Sequence, residues 1–135
     1  MRPVIVVLRW LIRMFAIVQL TLGTLFWTGN AATWIPLHML SGLVLVLGLW
    51  SQAALGVRAG LGIGMLVLAL GWGAIVVALG MTQDSLLAGD AHWLIQVVHL
   101  LIGLAAVGLA EAIAARSLRR LPSAAPAEAP AEVRA

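Results

Sequence analysis

Two of the three histidines in this chain stand in matching surroundings. His38-Met39-Leu40-Ser41-Gly42-Leu43 and His99-Leu100-Leu101-Ile102-Gly103-Leu104 share a histidine, a glycine four residues on and a leucine after it. Two imidazoles facing one another are a pair of axial ligands for a metal. A glycine at i+4 lies on nearly the same helical face and removes the side chain that would collide with a flat macrocycle. Histidine, glycine and repetition together point to one b-type haem, with His38 and His99 as the iron ligands and Gly42 and Gly103 making room for it. Other chemistries lack residues. The chain has no cysteine, which excludes disulfides, thiolate metal sites, cysteine nucleophiles, thioether-attached haem and Cys-ligated iron–sulfur clusters. Zinc wants three or four protein ligands, more than this set supplies. No Ser, His and acid constellation, paired carboxylates or phosphate-cradling glycine loop is present, so hydrolysis and phosphoryl transfer have nothing to work with.

The elements that must position these histidines are apolar helices. Of the 135 residues, 63% are hydrophobic and only 10% charged, against roughly 25% charged in an ordinary soluble domain. A bilayer-spanning helix needs about 20 mostly apolar residues, and the sequence divides into four such runs at about 4–27, 34–56, 61–79 and 92–116. Thr28-Gly29-Asn30 closes the first run, Pro36 is tolerated in the first turn of the second, and Gly56-Val57-Arg58 ends it. The third is rich in glycine (Gly62, Gly64, Gly71, Gly73), which permits close helix contacts. Asp90 is the expected N-cap of the fourth. The expected fold is therefore an all-α integral membrane protein, a four-helix up-and-down bundle in one domain, 1–121. The Pro-, Ala- and Glu-containing tail, 122–135, is expected to be disordered and cytoplasmic. A cleavable leader would share the basic start and the Gly29-Asn30-Ala31-Ala32 stretch. The apolar run beginning at Val4 is already long enough to span, and the expectation is that it is kept.

Charge assigns the sides. All eight basic residues are arginines, and Arg2, Arg9, Arg13, Arg58, Arg116, Arg119 and Arg120 fall at one end of the four runs, with Asp84 and Asp90 at the other. By the positive-inside rule the arginine end and both termini are cytoplasmic, in the inner (plasma) membrane. This basicity sets orientation and is no nucleic-acid footprint. Trp27, Trp34 and Trp93 form an outer aromatic belt, and His38 and His99 both lie in the outer leaflet. The second and fourth helices are diagonal partners, so their inward faces look at each other across the core. The weaker match of Leu20-Thr21-Leu22-Gly23 with Leu68-Ala69-Leu70-Gly71 extends the likeness of the halves, and the bundle reads as two helix-pair repeats. Gln96, Ser41 and Gln19 are placed to hydrogen-bond an imidazole or the haem edge. No arginine is available for the propionates, which would be solvated near Asn30, Thr33 and His92. His92 is expected at the interface and not as a ligand. A plainer reading of His99 is an interhelical hydrogen bond, for example to Gln19. Glu111, a carboxylate in an apolar helix, is expected to pair with Arg13 or Arg58.

The pattern resembles the four-helix transmembrane b-type cytochromes and, more closely, a compact family of small bacterial four-helix membrane proteins. The resemblance covers about 4–116 and rests on His38, Gly42, His99 and Gly103. Two-haem members carry further histidine pairs toward the cytoplasmic side, which this chain lacks. The resemblance accordingly implies one haem b near the outer face, moving single electrons to or from a quinone, superoxide or a redox protein. Alternatives from other classes are a haem-free accessory subunit docked in a larger membrane complex, and a small transporter that uses Glu111 with Gln19, Gln52 and Gln96. Membrane lipid is the surrounding partner in every case, and assembly would be with copies of the chain or within such a complex.

Overall fold

The computed structural model describes residues 1–29 and 32–122. Asn30 and the tail 123–135 lie outside the described residues, and with them the expectations for a tail disorder and for Asn30 beside a propionate. Four long helices carry the fold: α1 (Arg2–Trp27), α2 (Ile35–Arg58), α3 (Ile63–Thr82) and α4 (His92–Arg120). Single turns of tighter helix at Ala32–Trp34 and Gln83–Ser85 precede α2 and follow α3. No strand occurs among the described residues. All four helices are long and apolar enough to cross a membrane.

The ends obey local chemistry. Pro3 and Pro36 sit in the first turns of α1 and α2, where the missing N–H costs nothing. Gly29, Gly60 and Gly89 take positive φ where the chain leaves or re-enters a helix. Several boundaries differ from expectation, among them the end of α3, which runs on to Thr82. Asp90 is not the N-cap of α4. That position belongs to Ala91, without a side-chain bond, because the Gly89 turn lets His92 N–H donate to the Gly89 carbonyl and Leu94 N–H to the Ala91 carbonyl. At its far end α4 runs on to Arg120, with Arg2 donating to the Leu118 and Leu121 carbonyls. Helix α3 starts late, after Gly62 in extended conformation, and Leu61 is folded back and buried.

The packing is a ring in the order α1, α2, α3, α4 in which α2 and α4 also touch across the middle while α1 and α3 stay apart. The two histidine-bearing helices thus form the short diagonal. Small residues set how closely the helices approach, as in helix pairs that gain nothing from hiding apolar surface from lipid. A Cβ on Gly48 would stand 2.9 Å from Ile12 Cγ1 of α1, and one on Gly56 would stand 3.0 Å from Ile113 Cγ2 of α4. The Trp50 indole lies directly over Gly73 of α3, and its Nε1–H donates to the Ala69 carbonyl at 3.1 Å. Trp72 of α3 does the same to the Ile102 carbonyl of α4 at 3.0 Å. Ile12, Leu49, Ala53, Leu61, Ala69, Ala106, Ala110 and Ile113 make the buried cluster.

That core belongs to the middle and the arginine end. In the other half, among the described residues, only Leu22 and Ser41 are buried; nothing in 74–105 is. The outward faces carry large exposed apolar side chains such as Trp10, Ile17, Leu40, Ile63, Val67 and Leu101.

Gly73→Ala should force the Trp50 ring off α3 and weaken its bond to Ala69, lowering stability by about 1–3 kcal/mol. Gly71→Ala, where nothing lies within 4 Å, should change it by less than about 0.5 kcal/mol. Thermal melts of the two variants in detergent test this, and equal losses would show that the indole contact does not set the α2–α3 spacing.

Candidate functional site

His38 sits in the first turn of α2 and His99 in the second turn and a half of α4. Because both helices run away from the same end of the bundle and touch along the diagonal, the two rings come together, with centroids 6.4 Å apart and planes inclined at 48°. Two imidazoles on opposite sides of one metal, each at about 2.0–2.1 Å metal–nitrogen distance, have ring centres roughly 6 Å apart. Each ring is half-buried, and Nδ1 of each is buried with no hydrogen-bond partner. Buried ring nitrogens are normally paired, so the pair carries an unmet demand for a metal or a polar group. His92 behaves differently: it opens α4 and its Nδ1 lies 3.2 Å from the Leu86 carbonyl oxygen in the preceding loop. Among the described residues no three or more acidic or histidine side chains gather as a metal cluster.

The surroundings of the pair differ from the glycine pattern in the sequence. Gly42 does not face an open space; a Cβ there would run into the Gln19 amide of α1. Gly103 has nothing within 4 Å. The glycines that flank the rings are others. A Cβ on Gly23 of α1 would lie 4.0 Å from His38 Cε1, and one on Gly80 of α3 would lie 3.3 Å from His99 Cε1. Each histidine therefore faces a glycine of the helix that precedes it. Gly23 precedes His38 by 15 residues and Gly80 precedes His99 by 19, a mismatch of about one helical turn that hides the relation from a comparison in register with the histidines. Phe26 is a further neighbour, its ring 5.2 Å from His38 and edge-on to it.

The polar residues expected near the rings act on the backbone instead. Gln19 Nε2 donates to the His38 carbonyl at 2.9 Å and the Ser41 hydroxyl donates to the same oxygen at 3.1 Å. They hold the first turn of α2 against α1, and Gln19 makes no bond to His99. Gln96 lies in a cleft of about 370 Å³ with Phe26, Trp27, Trp93 and Val97.

A second polar cluster lies lower in the bundle. Glu111 of α4 is gripped by two arginines of α1: Arg13 Nε and Nη2 donate to Oε1 and Oε2 at 2.8 Å, and Arg9 Nε donates to Oε2 at 2.8 Å. Arg13 also lies 4.9 Å from the Trp10 ring. Arg13 is an expected partner, Arg9 an additional one, and Arg58 takes no part. Arg9, Arg13 and Arg2 share one face of α1 at i, i+4 and i−7 spacing, so the stripe follows the seam with α4.

The fold and the pair together define a class: a bundle of four apolar helices with two facing imidazoles in its less filled half. Comparison of the chain with known protein families, with characterised proteins and with solved structures gives no match.

Glu111→Gln should leave two guanidinium groups without a counter-charge on apolar helices and lower the melting temperature more than Arg9→Gln or Arg13→Gln, each of which leaves one arginine to neutralise the carboxylate. Melts of the three variants decide it; an unaffected Glu111→Gln protein would mean that the triad does not hold α1 to α4.

Proposed function

We propose that the chain spans a membrane with its arginine end and both termini on the cytoplasmic side, and that it is a b-type cytochrome-like electron-transfer protein holding one haem between His38 and His99. The observation that carries this reading is the approach of the two rings, 6.4 Å apart, which would let both histidines hold one group between them. Three features support it. The half of the bundle around the rings has little apolar core of its own. Gly23 and Gly80 keep side chains away from the two imidazoles. The buried Nδ1 atoms are unpaired. The membrane part of the reading rests on the four apolar helices and on the arginines gathered at one end.

The residues divide the work. His38 and His99, on the two helices of the short diagonal, would hold the haem. Gln19 and Ser41, by holding the His38 carbonyl, fix the height at which that imidazole enters the bundle. Gly23 and Gly80 leave room beside the rings, and Phe26 packs edge-on against His38. A bis-imidazole b haem supplies one-electron chemistry with no open iron position, which favours electron transfer over oxygen activation. Glu111 fits poorly as a transported-proton site, since both its oxygens are engaged by Arg9 and Arg13.

The test is the absorption spectrum of the detergent-purified protein from haem-replete cells, oxidised and then reduced. A sharp low-spin b-type spectrum is expected, abolished or converted to high-spin by His38→Ala and by His99→Ala. Gly80→Ile, which would push against the His99 ring, should lower haem content several-fold, while Gly71→Ile should not. A colourless parent protein would sink the cytochrome reading and leave the haem-free accessory subunit in its place.

A further inference from the structure

The geometry points to a binding site for an anionic phospholipid in the groove between α1 and α2 at the arginine end, with the lipid phosphate on Arg58 and one acyl chain along the groove. The inference rests on the membrane-spanning reading but not on haem.

The groove measures about 660 Å³ and is lined by Pro3, Val4, Val7, Leu8 and Leu11 of α1 and by Ser51, Ala54, Leu55 and Arg58 of α2. It lies toward the arginine end from the close contact of Ile12 with Gly48. Its floor on α2 is built from small side chains, Ser51 and Ala54, flanked by bulkier ones on α1. From Arg58 to Ser51 the wall runs seven residues, about 10 Å at 1.5 Å per residue, which is most of the roughly 15 Å depth of one leaflet's hydrocarbon. The shape suits an extended hydrocarbon chain, and the lining offers almost no polar partner for anything else.

The mouth of the groove is where the charge is. Arg58 is exposed and makes no hydrogen bond or ion pair with another described residue. Of the other arginines at that end, five are engaged: Arg2 donates to the last carbonyls of α4, Arg120 to the Gly60 carbonyl, Arg116 to the Met65 sulfur, and Arg9 and Arg13 to Glu111, while Arg119 is exposed but does not line the groove. No acidic residue other than Glu111 stands at that end among the described residues. Across the mouth is the N-terminus of α1, whose first turn has no side-chain cap and presents free N–H groups and the positive end of the helix dipole. Arg58 offsets the opposite dipole of the α2 C-terminus. An apolar slot about two thirds of a leaflet deep, closed at the membrane surface by a free guanidinium and a helix N-terminus, matches a phosphate head with the upper part of its chain.

The experiment is native mass spectrometry of the full chain released from detergent, with added phosphatidylglycerol, phosphatidylcholine of the same acyl chains, or glycerol 3-phosphate. One arginine near the surface corresponds to about a fivefold preference for the anionic lipid. That preference should vanish in Arg58→Gln and persist in Arg119→Gln, since Arg119 is exposed at the same end but outside the groove. Ala54→Leu, which fills the floor, should reduce uptake of both lipids several-fold. Equal loss of preference in Arg58→Gln and Arg119→Gln would mean diffuse attraction and no site, and glycerol 3-phosphate binding as well as the lipid would mean an anion site with no chain in the groove. Either overturns the inference. Release of the chain from membranes by a carbonate wash overturns the spanning reading and this inference with it, whereas a chain that stays embedded and takes both lipids equally overturns this inference alone.

Discussion

Polar groups carried on apolar helices must be satisfied by one another, and the architecture follows from which of them succeed. Outside the backbone, the structure has little polar material to arrange. The Glu111 carboxylate is met by two guanidinium groups, two indole N–H groups find carbonyls of the next helix, and Gln19 reaches the His38 carbonyl across the α1–α2 seam. Each bond joins two helices, so each fixes a rotation and a height that apolar packing alone would leave loose. Such bonds, with close packing at glycine, are what hold apolar helices of this kind to one another.

The two halves of the bundle use this differently. Toward the arginine end, Gly48, Gly56 and Gly73 let Ile12, Ile113 and Trp50 sit against neighbouring backbone, and a continuous core forms. The ion triad and the arginine bonds to chain ends tie α1, α4 and the α2–α3 turn together there. Toward the other end the core thins out, and the half-buried histidine rings stand where filler would otherwise be. The continuous core at the arginine end holds the four helices in register, and with them the two imidazoles, 6.4 Å apart in the half whose interior is incomplete.

Gln52 does not conform. It is fully buried in α2, and neither its amide oxygen nor its nitrogen has a partner. Its place between Gly48 and Gly56 on one face of α2 puts it beside two close contacts, with α1 at Ile12 and with α4 at Ile113. Buried amides of this kind are normally satisfied, and the packing offers no physical reason for the exception.

What the sequence determined by itself was whatever depends on one helix at a time. Run lengths and composition marked four apolar helices to within a few residues at most ends, because the apolar content of a 20-residue window needs no neighbour to be read. The repeated histidine motif likewise singled out His38 and His99, and Glu111 announced a need for an arginine. Tertiary structure decided the rest, since it concerns distances between helices. It made α2 and α4 the touching diagonal and brought the rings to 6.4 Å. It gave Glu111 to Arg9 as well as Arg13 and left Arg58 out. It turned Gly42 toward Gln19 and set Gly23 and Gly80 beside the imidazoles in its stead. A glycine's spacing says which face of its own helix it occupies; which neighbour fills the space above it is fixed only when loops of unequal length set the relative heights of the helices.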